Sequence, residues 1–219
     1  MAHHLLAQTL REEYGRNCIE ADFKKKLQEA GLECEGYFEV VSDTFEIHYS
    51  EKDPVTGKKT SWTVQELRDV VYCKDFKEFE KYVREKRGIK PDEKLLIKYQ
   101  LDGGGDHFKI CVNLIQESLL PKNPKKIKQR NKDSSVKATF MILCIEKIPE
   151  TRGNVKKAWD LLDIGPMNGN DFIASDLKLY NLLVGIQGHT SSCPCPLCEW
   201  LKADGINGKA RPRYFGTQK

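Results

Sequence analysis

Three runs constrain this chain more than anything else in it: KLLIKYQLD at 94–102, FKICVNLI at 108–115 and VKATFMILCIEKI at 136–148. Each is short and rich in β-branched or aromatic side chains, the pattern of strands with at least one buried face. DGGGD between the first two is turn chemistry, so those two pair antiparallel. The hydrophobic period then changes. Val155, Ala158, Trp159 and Leu162 share one face of a helix that Asn154 is placed to cap and Gly165-Pro166 to end. DFIAS at 171–175 is a short fourth strand running into Asp176, and Leu177, Tyr180, Leu183 and Val184 give a second helix an apolar face, with Gly188 as its stop. The order is strand, strand, strand, helix, strand, helix. It predicts an α/β chain (α+β with a mixed sheet).

The first ninety residues are poor in chemical motifs. Residues 18–30 predict a helix, since Ile19, Phe23 and Leu27 recur at i, i+4, i+8 before Gly31. Phe45, Ile47 and Tyr49 alternate, DPVTGK supplies a turn, and Trp62 and Val64 alternate again, which is a hairpin. Asp75 with Glu78 resembles a capping box, followed by an apolar face of Phe76, Phe79, Tyr82 and Val83. The expected organisation is an N-terminal α+β appendage or linker region over 1–91, a partial core over 92–188 and the start of a zinc-binding insertion over 189–219.

At 219 residues the chain is long enough to bury a sizeable core. With 39% hydrophobic and 31% charged residues it reads as a globular chain, and no apolar run approaches the ~18 residues of a membrane span. The N-terminus has no secretory pattern, so an intracellular protein without a membrane partner is expected. In a reducing compartment clustered cysteines more often bind metal than form disulfides. Of the eight cysteines, Cys18, Cys34, Cys73, Cys111 and Cys144 are scattered and read as small buried hydrophobes, whereas Cys193, Cys195 and Cys198 cluster.

Three features carry candidate chemistry. Asp102 ends the first strand of the core and Asp176 follows the fourth; the plain alternatives are a turn starter and a helix N-cap. Carboxylates brought together repel unless a divalent cation lies between them, and two such ions support phosphodiester chemistry. Cys195-Pro-Leu-Cys198 is a C-x2-C that supplies half of a tetrahedral zinc site, with His189 and Cys193 as local candidates for the rest. Net charge is only +4, but Lys122, Lys125, Lys126, Lys128, Arg130 and Lys132 fall in one stretch without an acidic residue. That loop is either solvated or a phosphate contact.

LDGGGD around Asp102 and ASDLKLYNLLVGIQGHTSSCPCPLCEW around Asp176 resemble the DDE transposases with a ribonuclease-H-like fold, and among them the V(D)J-recombinase-like catalytic cores and uncharacterised transposon-derived invertebrate proteins. The resemblance covers roughly residues 92–200. It implies a ribonuclease-H-like core whose first and fourth strands are neighbours, with Asp102 and Asp176 as catalytic ligands of Mg²⁺ or Mn²⁺. It also implies Cys195 and Cys198 as Zn²⁺ ligands, DNA as partner, a nuclear location, and a homodimer formed through regions outside these residues. The family's third carboxylate and two zinc histidines lie further along than Lys219. The expectation is therefore a core incomplete at its C-terminus: a fragment or truncated relative of a DNA transposase, inactive alone. The alternatives are a non-catalytic nucleic-acid-binding protein derived from one, or a zinc-stabilised interaction protein.

Overall fold

The computed structural model describes residues 19–33, 35–103, 107–120, 138–165, 167, 169 and 171–183. The chain divides after Ile173 into two units. In the first, helix α1 (residues 19–29) buries Ile19, Phe23 and Leu27, the expected stripe. Strands β1 (Phe38–Lys52) and β2 (Lys59–Cys73) form a ribbon in unbroken antiparallel register from Phe38↔Cys73 to Lys52↔Lys59. The alternation at 45–49 and 62–64 marks only its outer part. Its turn is tied by Asp53, whose carboxylate accepts the backbone N–H groups of Val55 and Thr56 at 2.8 and 3.1 Å. Helix α2 (Phe76–Lys86) starts as anticipated: Asp75 Oδ1 accepts the Glu78 N–H at 3.0 Å, and Phe76, Phe79 and Val83 turn inward.

The remaining strands are β3 (Leu95–Asp102), β4 (His107–Gln116), β5 (Phe140–Glu146) and β6 (Phe172–Ala174). With β1 and β2 they make one six-stranded mixed sheet in the order β1-β2-β5-β4-β3-β6. Strand β3 thus lies between β4 and β6. The third strand is shorter than its apolar run: Pro149 lacks a backbone donor and Ile148 is buried outside the ladder. The N-terminal ribbon is continuous with this sheet, because Val70, Val71 and Tyr72 of β2 pair with Ile145, Cys144 and Leu143 of β5.

Helix α3 (Arg152–Asp160) corrects one expectation. Its cap is Thr151, whose Oγ1 accepts the Asn154 N–H at 3.1 Å, so the helix begins earlier than Asn154. Asn154 is instead a buried bracket. Its amide donates to Glu46 O at 2.8 Å and Pro149 O at 3.0 Å, and its Oδ1 accepts the Glu46 N–H at 2.9 Å. A helix side chain thereby completes both backbone groups of one residue in β1, where a hydrophobic side chain would leave them unsatisfied. Lys157, one turn on, holds Asp43 at 2.7 Å and Thr44 O at 2.6 Å with its ammonium over the Phe45 ring.

Helices α2 and α3 cover one face of the sheet. Tyr99 of β3 meets Phe76 of α2 at 6.1 Å between ring centroids and Trp159 of α3 at 5.1 Å, while Phe79 meets Phe140 edge-on at 5.6 Å. In the second unit, helix α4 (Leu177–Leu183) buries Leu179 rather than the expected Tyr180 or Leu183, which are half-buried. Among the described residues no helix is long and apolar enough to cross a membrane.

Candidate functional site

Alternation along β3 decides which way its residues point. Ile97, Tyr99 and Leu101 are buried on the face beneath α2 and α3, so Lys98, Gln100 and Asp102 belong to the other face. There the register sets Lys98 opposite Asn113, Gln100 opposite Cys111 and Asp102 opposite Lys109. The middle of this face is a polar knot. Gln100 donates to Asn113 Oδ1 and to Thr139 Oγ1, and Thr139 donates to the same Asn113 oxygen at 3.1 Å. Asn113 is fully buried between the apolar Val112 and Leu114, and its partners come from both flanking segments.

Asp102 is exposed at the last position of β3. The charge around it is mixed, as the neighbouring thiol shows. Burial pushes the Cys111 thiol up to about 11, Lys109 acting against that shift and Asp102 with it. Beyond Asp102 the Glu150 side chain reaches Gly103, where a Cβ would lie 2.7 Å from Glu150 Cδ. The first glycine of DGGG leaves room for the Glu150 carboxyl, which a larger residue would displace. Glu150 has no motif around it and precedes the Thr151 cap. Only the tertiary fold reveals it beside the Asp102 strand end.

Asp176 belongs to the second unit. Its Oδ1 accepts the Leu179 N–H at 2.7 Å and its carbonyl accepts the Tyr180 N–H at 2.9 Å, so it is the N-cap of α4. One carboxylate oxygen is committed to that cap. Asp171, expected inside the fourth strand, precedes it and takes the Ile97 N–H of β3 at 3.4 Å. His107 opens β4 half-buried, opposite Glu146.

Cys73 and Cys144 are buried free thiols, and burial pushes each up to about 12. That is the environment of inert packing residues, as expected, and not of nucleophiles. Asp106, Cys18, Cys34, His189, Cys193, Cys195, Cys198 and the basic residues Lys122, Lys125, Lys126, Lys128, Arg130 and Lys132 lie outside the described residues. Among the described residues no group of three or more His, Cys, Asp or Glu side chains is arranged to hold a metal ion. No family model matches the sequence, and neither a curated protein nor a solved structure shows significant similarity to it.

Proposed function

We propose that this chain is a transposon-derived relative of the DDE transposases, carrying part of a ribonuclease-H-like core. Its parent activity would be divalent-metal-dependent cleavage of a DNA phosphodiester followed by strand transfer. The observation that carries the reading is the strand order β5-β4-β3-β6, in which the strand ending on Asp102 is flanked by the strand that leads into Asp176. A sheet assembled from these segments as a simple meander would have put the fourth strand beside the third. A crossover back to the first strand is what such a core needs.

The donor set suits a hard cation. Asp102 is an exposed carboxylate at the end of β3, and the family resemblance makes Asp176 its companion ligand. Oxygen donors of this kind favour Mg²⁺ or Mn²⁺ over softer metals. When bound, such an ion supplies an activated water or hydroxyl and stabilises a leaving oxygen. The chain's own part would be to present the carboxylates, Asp102 from the end of the β3–β4 ladder and Asp176 from the N-cap of α4. Cys195 and Cys198 contribute two thiolates to Zn²⁺ in the same reading.

Titrating the protein with Mn²⁺ and following binding by calorimetry tests the metal site. Wild type binds, and Asp102→Asn and Asp176→Asn each weaken binding at least tenfold, the loss of one charged ligand being worth about that much or more. Binding indifferent to both substitutions overturns the assignment. Zinc content that is unchanged by Cys195→Ser removes the zinc part alone.

A further inference from the structure

We propose that the outer half of the β1–β2 ribbon is a self-association edge: β2 of one copy adds antiparallel to β2 of a second copy about a two-fold axis at Trp62, joining two ribbons into one four-stranded sheet. The proposal is independent of Asp102 and Asp176. It places an interface within a segment that carries no recognisable motif.

The hydrogen bonds of the ribbon fix which backbone groups are spare. Opposed residues in an antiparallel pair either bond each other or turn their N–H and C=O groups outward, alternating along the strand. Asn154 takes both backbone groups of Glu46, and Lys157 takes Thr44 O, so these residues of β1 turn away from β2. Gln65 stands opposite Glu46 and therefore turns away from β1, as do Thr63 and Ser61 by alternation. Nearer the base the same edge of β2 pairs with β5 at Val70–Tyr72, and Arg68 donates to Leu67 O at 2.9 Å. From Gln65 to Ser61 the outward groups have no partner among the described residues. Edges of this kind are ordinarily blunted by prolines, bulges or short strands. Strand β2 has none of these: it is 15 residues long, in unbroken register with β1, and reads Thr-Ser-Trp-Thr-Val at 60–64. The outer edge of β1 is less open, because α3 already holds Thr44 and Glu46.

A second copy is the occupant that the side chains suit. An axis at Trp62 sets Ser61 opposite Thr63 of the other copy, so spare backbone groups meet spare backbone groups. Alternation puts Tyr49 and Trp62 on one face of the ribbon and Lys52 and Lys59 on the other. On the ring face Trp62 is 43% exposed and stacks on Tyr49, 22° between planes and 5.9 Å between centroids. Pairing gives it a second indole, and the row across the four strands becomes Tyr49-Trp62-Trp62-Tyr49. Lys58, whose carbonyl accepts the Asp53 N–H, continues the strand and falls on the same face opposite Glu66 of the other copy. On the far face Lys59 falls opposite Gln65 rather than another lysine. Neighbouring registers are worse: an axis at Thr63 sets Lys58 against Arg68, and one at Ser61 sets Lys58 against Val64. The axis at Trp62 also leaves Gly57 of the other copy opposite Leu67, short of the β5 pairing. An unrelated peptide would supply the ladder bonds but not the ring and charge pairing.

The test is sedimentation velocity of the full chain from about 1 to 300 µM, a span around the micromolar affinity of a small interface. Wild type passes from monomer to dimer as concentration rises. Trp62→Ala weakens the dimer about tenfold, through loss of an aromatic pair and the area it buries. Ser61→Pro abolishes it, because the outward N–H is removed while the ladder to β1 keeps its bonds. Circular dichroism and thermal melting confirm that both variants stay folded. Hydrogen exchange reads the edge directly: the amides of Ser61, Thr63 and Gln65 are protected at high concentration and exchange freely at low concentration. Three results overturn the proposal: a monomer at every concentration, a dimer indifferent to both Trp62→Ala and Ser61→Pro, or the three amides protected equally in the monomer, which would mean that another part of the same chain covers the edge.

Discussion

The sheet interior and the outer ribbon are built from the same element, antiparallel strands, and are stabilised by different physics. In β3, β4 and β5 the strands carry buried residues in long runs, with Met141 to Ile145 buried without a break. Stability there comes from apolar area and close packing, and each residue is constrained by neighbours on both faces. In the outer ribbon nearly every side chain is exposed and order rests on backbone ladder bonds plus a few cross-strand pairs. Residues in the interior are there because of what surrounds them. In the ribbon Trp62 packs against Tyr49 across the strands, and Lys52 faces Lys59.

The contrast can be broken experimentally. Phe79 is fully buried and touches the rings of Tyr37, Phe38, Tyr82 and Phe140. Phe79→Ala is expected to cost about 3–5 kcal/mol in urea unfolding, the range for emptying an aromatic site in a core. A loss under about 1 kcal/mol would mean the interior is not close-packed around α2. Asn154→Ala tests the joint between the two regions. It strands both backbone groups of Glu46, and about 1–3 kcal/mol should be lost. If the joint works as described, hydrogen exchange will quicken in β1 near Glu46 more than in β4.

A pH series sharpens the interior side. Cys73 and Cys144 are raised from 9.0 to about 12, and Cys111 to about 11, chiefly by burial. In the unfolded chain the thiols ionise near 9 while the folded protein keeps them protonated. Their stabilising contribution is therefore complete below about pH 9 and fades as pH climbs toward 12. Melting temperature should fall with pH across that window, and the fall should be shallower in Cys144→Ala. The same burial predicts slow alkylation of these three thiols in the native state at pH 8, with rapid labelling in urea. The smallest expected effect is on the ribbon: Trp62→Ala should change stability by less than about 1 kcal/mol, the scale of one cross-strand aromatic pair. A large loss would make Trp62 structural and remove the asymmetry between the two regions.

Much of the interior was legible in the sequence because burial writes itself as period. The α1 stripe, the ribbon turn, the Asp75 cap and the succession of strands and helices after residue 94 all follow from spacing. What spacing hides is tertiary. Asn154 has the composition of a cap and stands next to a helix start, so local chemistry nominates it; its actual bonds reach more than a hundred residues back to Glu46. Leu179 is buried where Tyr180 and Leu183 were expected, since a helix of seven residues is too short for its period to fix a face. At the candidate site, Asp102 and Asp176 were visible as residues at strand ends. Glu150 was invisible, because its significance is its proximity to Gly103 and no motif encodes that.

The pairing of β2 with β5 has one further consequence. Leu143, Cys144 and Ile145 would otherwise present free amide and carbonyl groups on an apolar border of the sheet, the kind of edge on which chains add to one another. The ribbon base shields that border. A shortened version beginning at residue 92 would carry the same strands and helices downstream, yet it should aggregate through β5, and its insolubility would say nothing about whether those strands can fold.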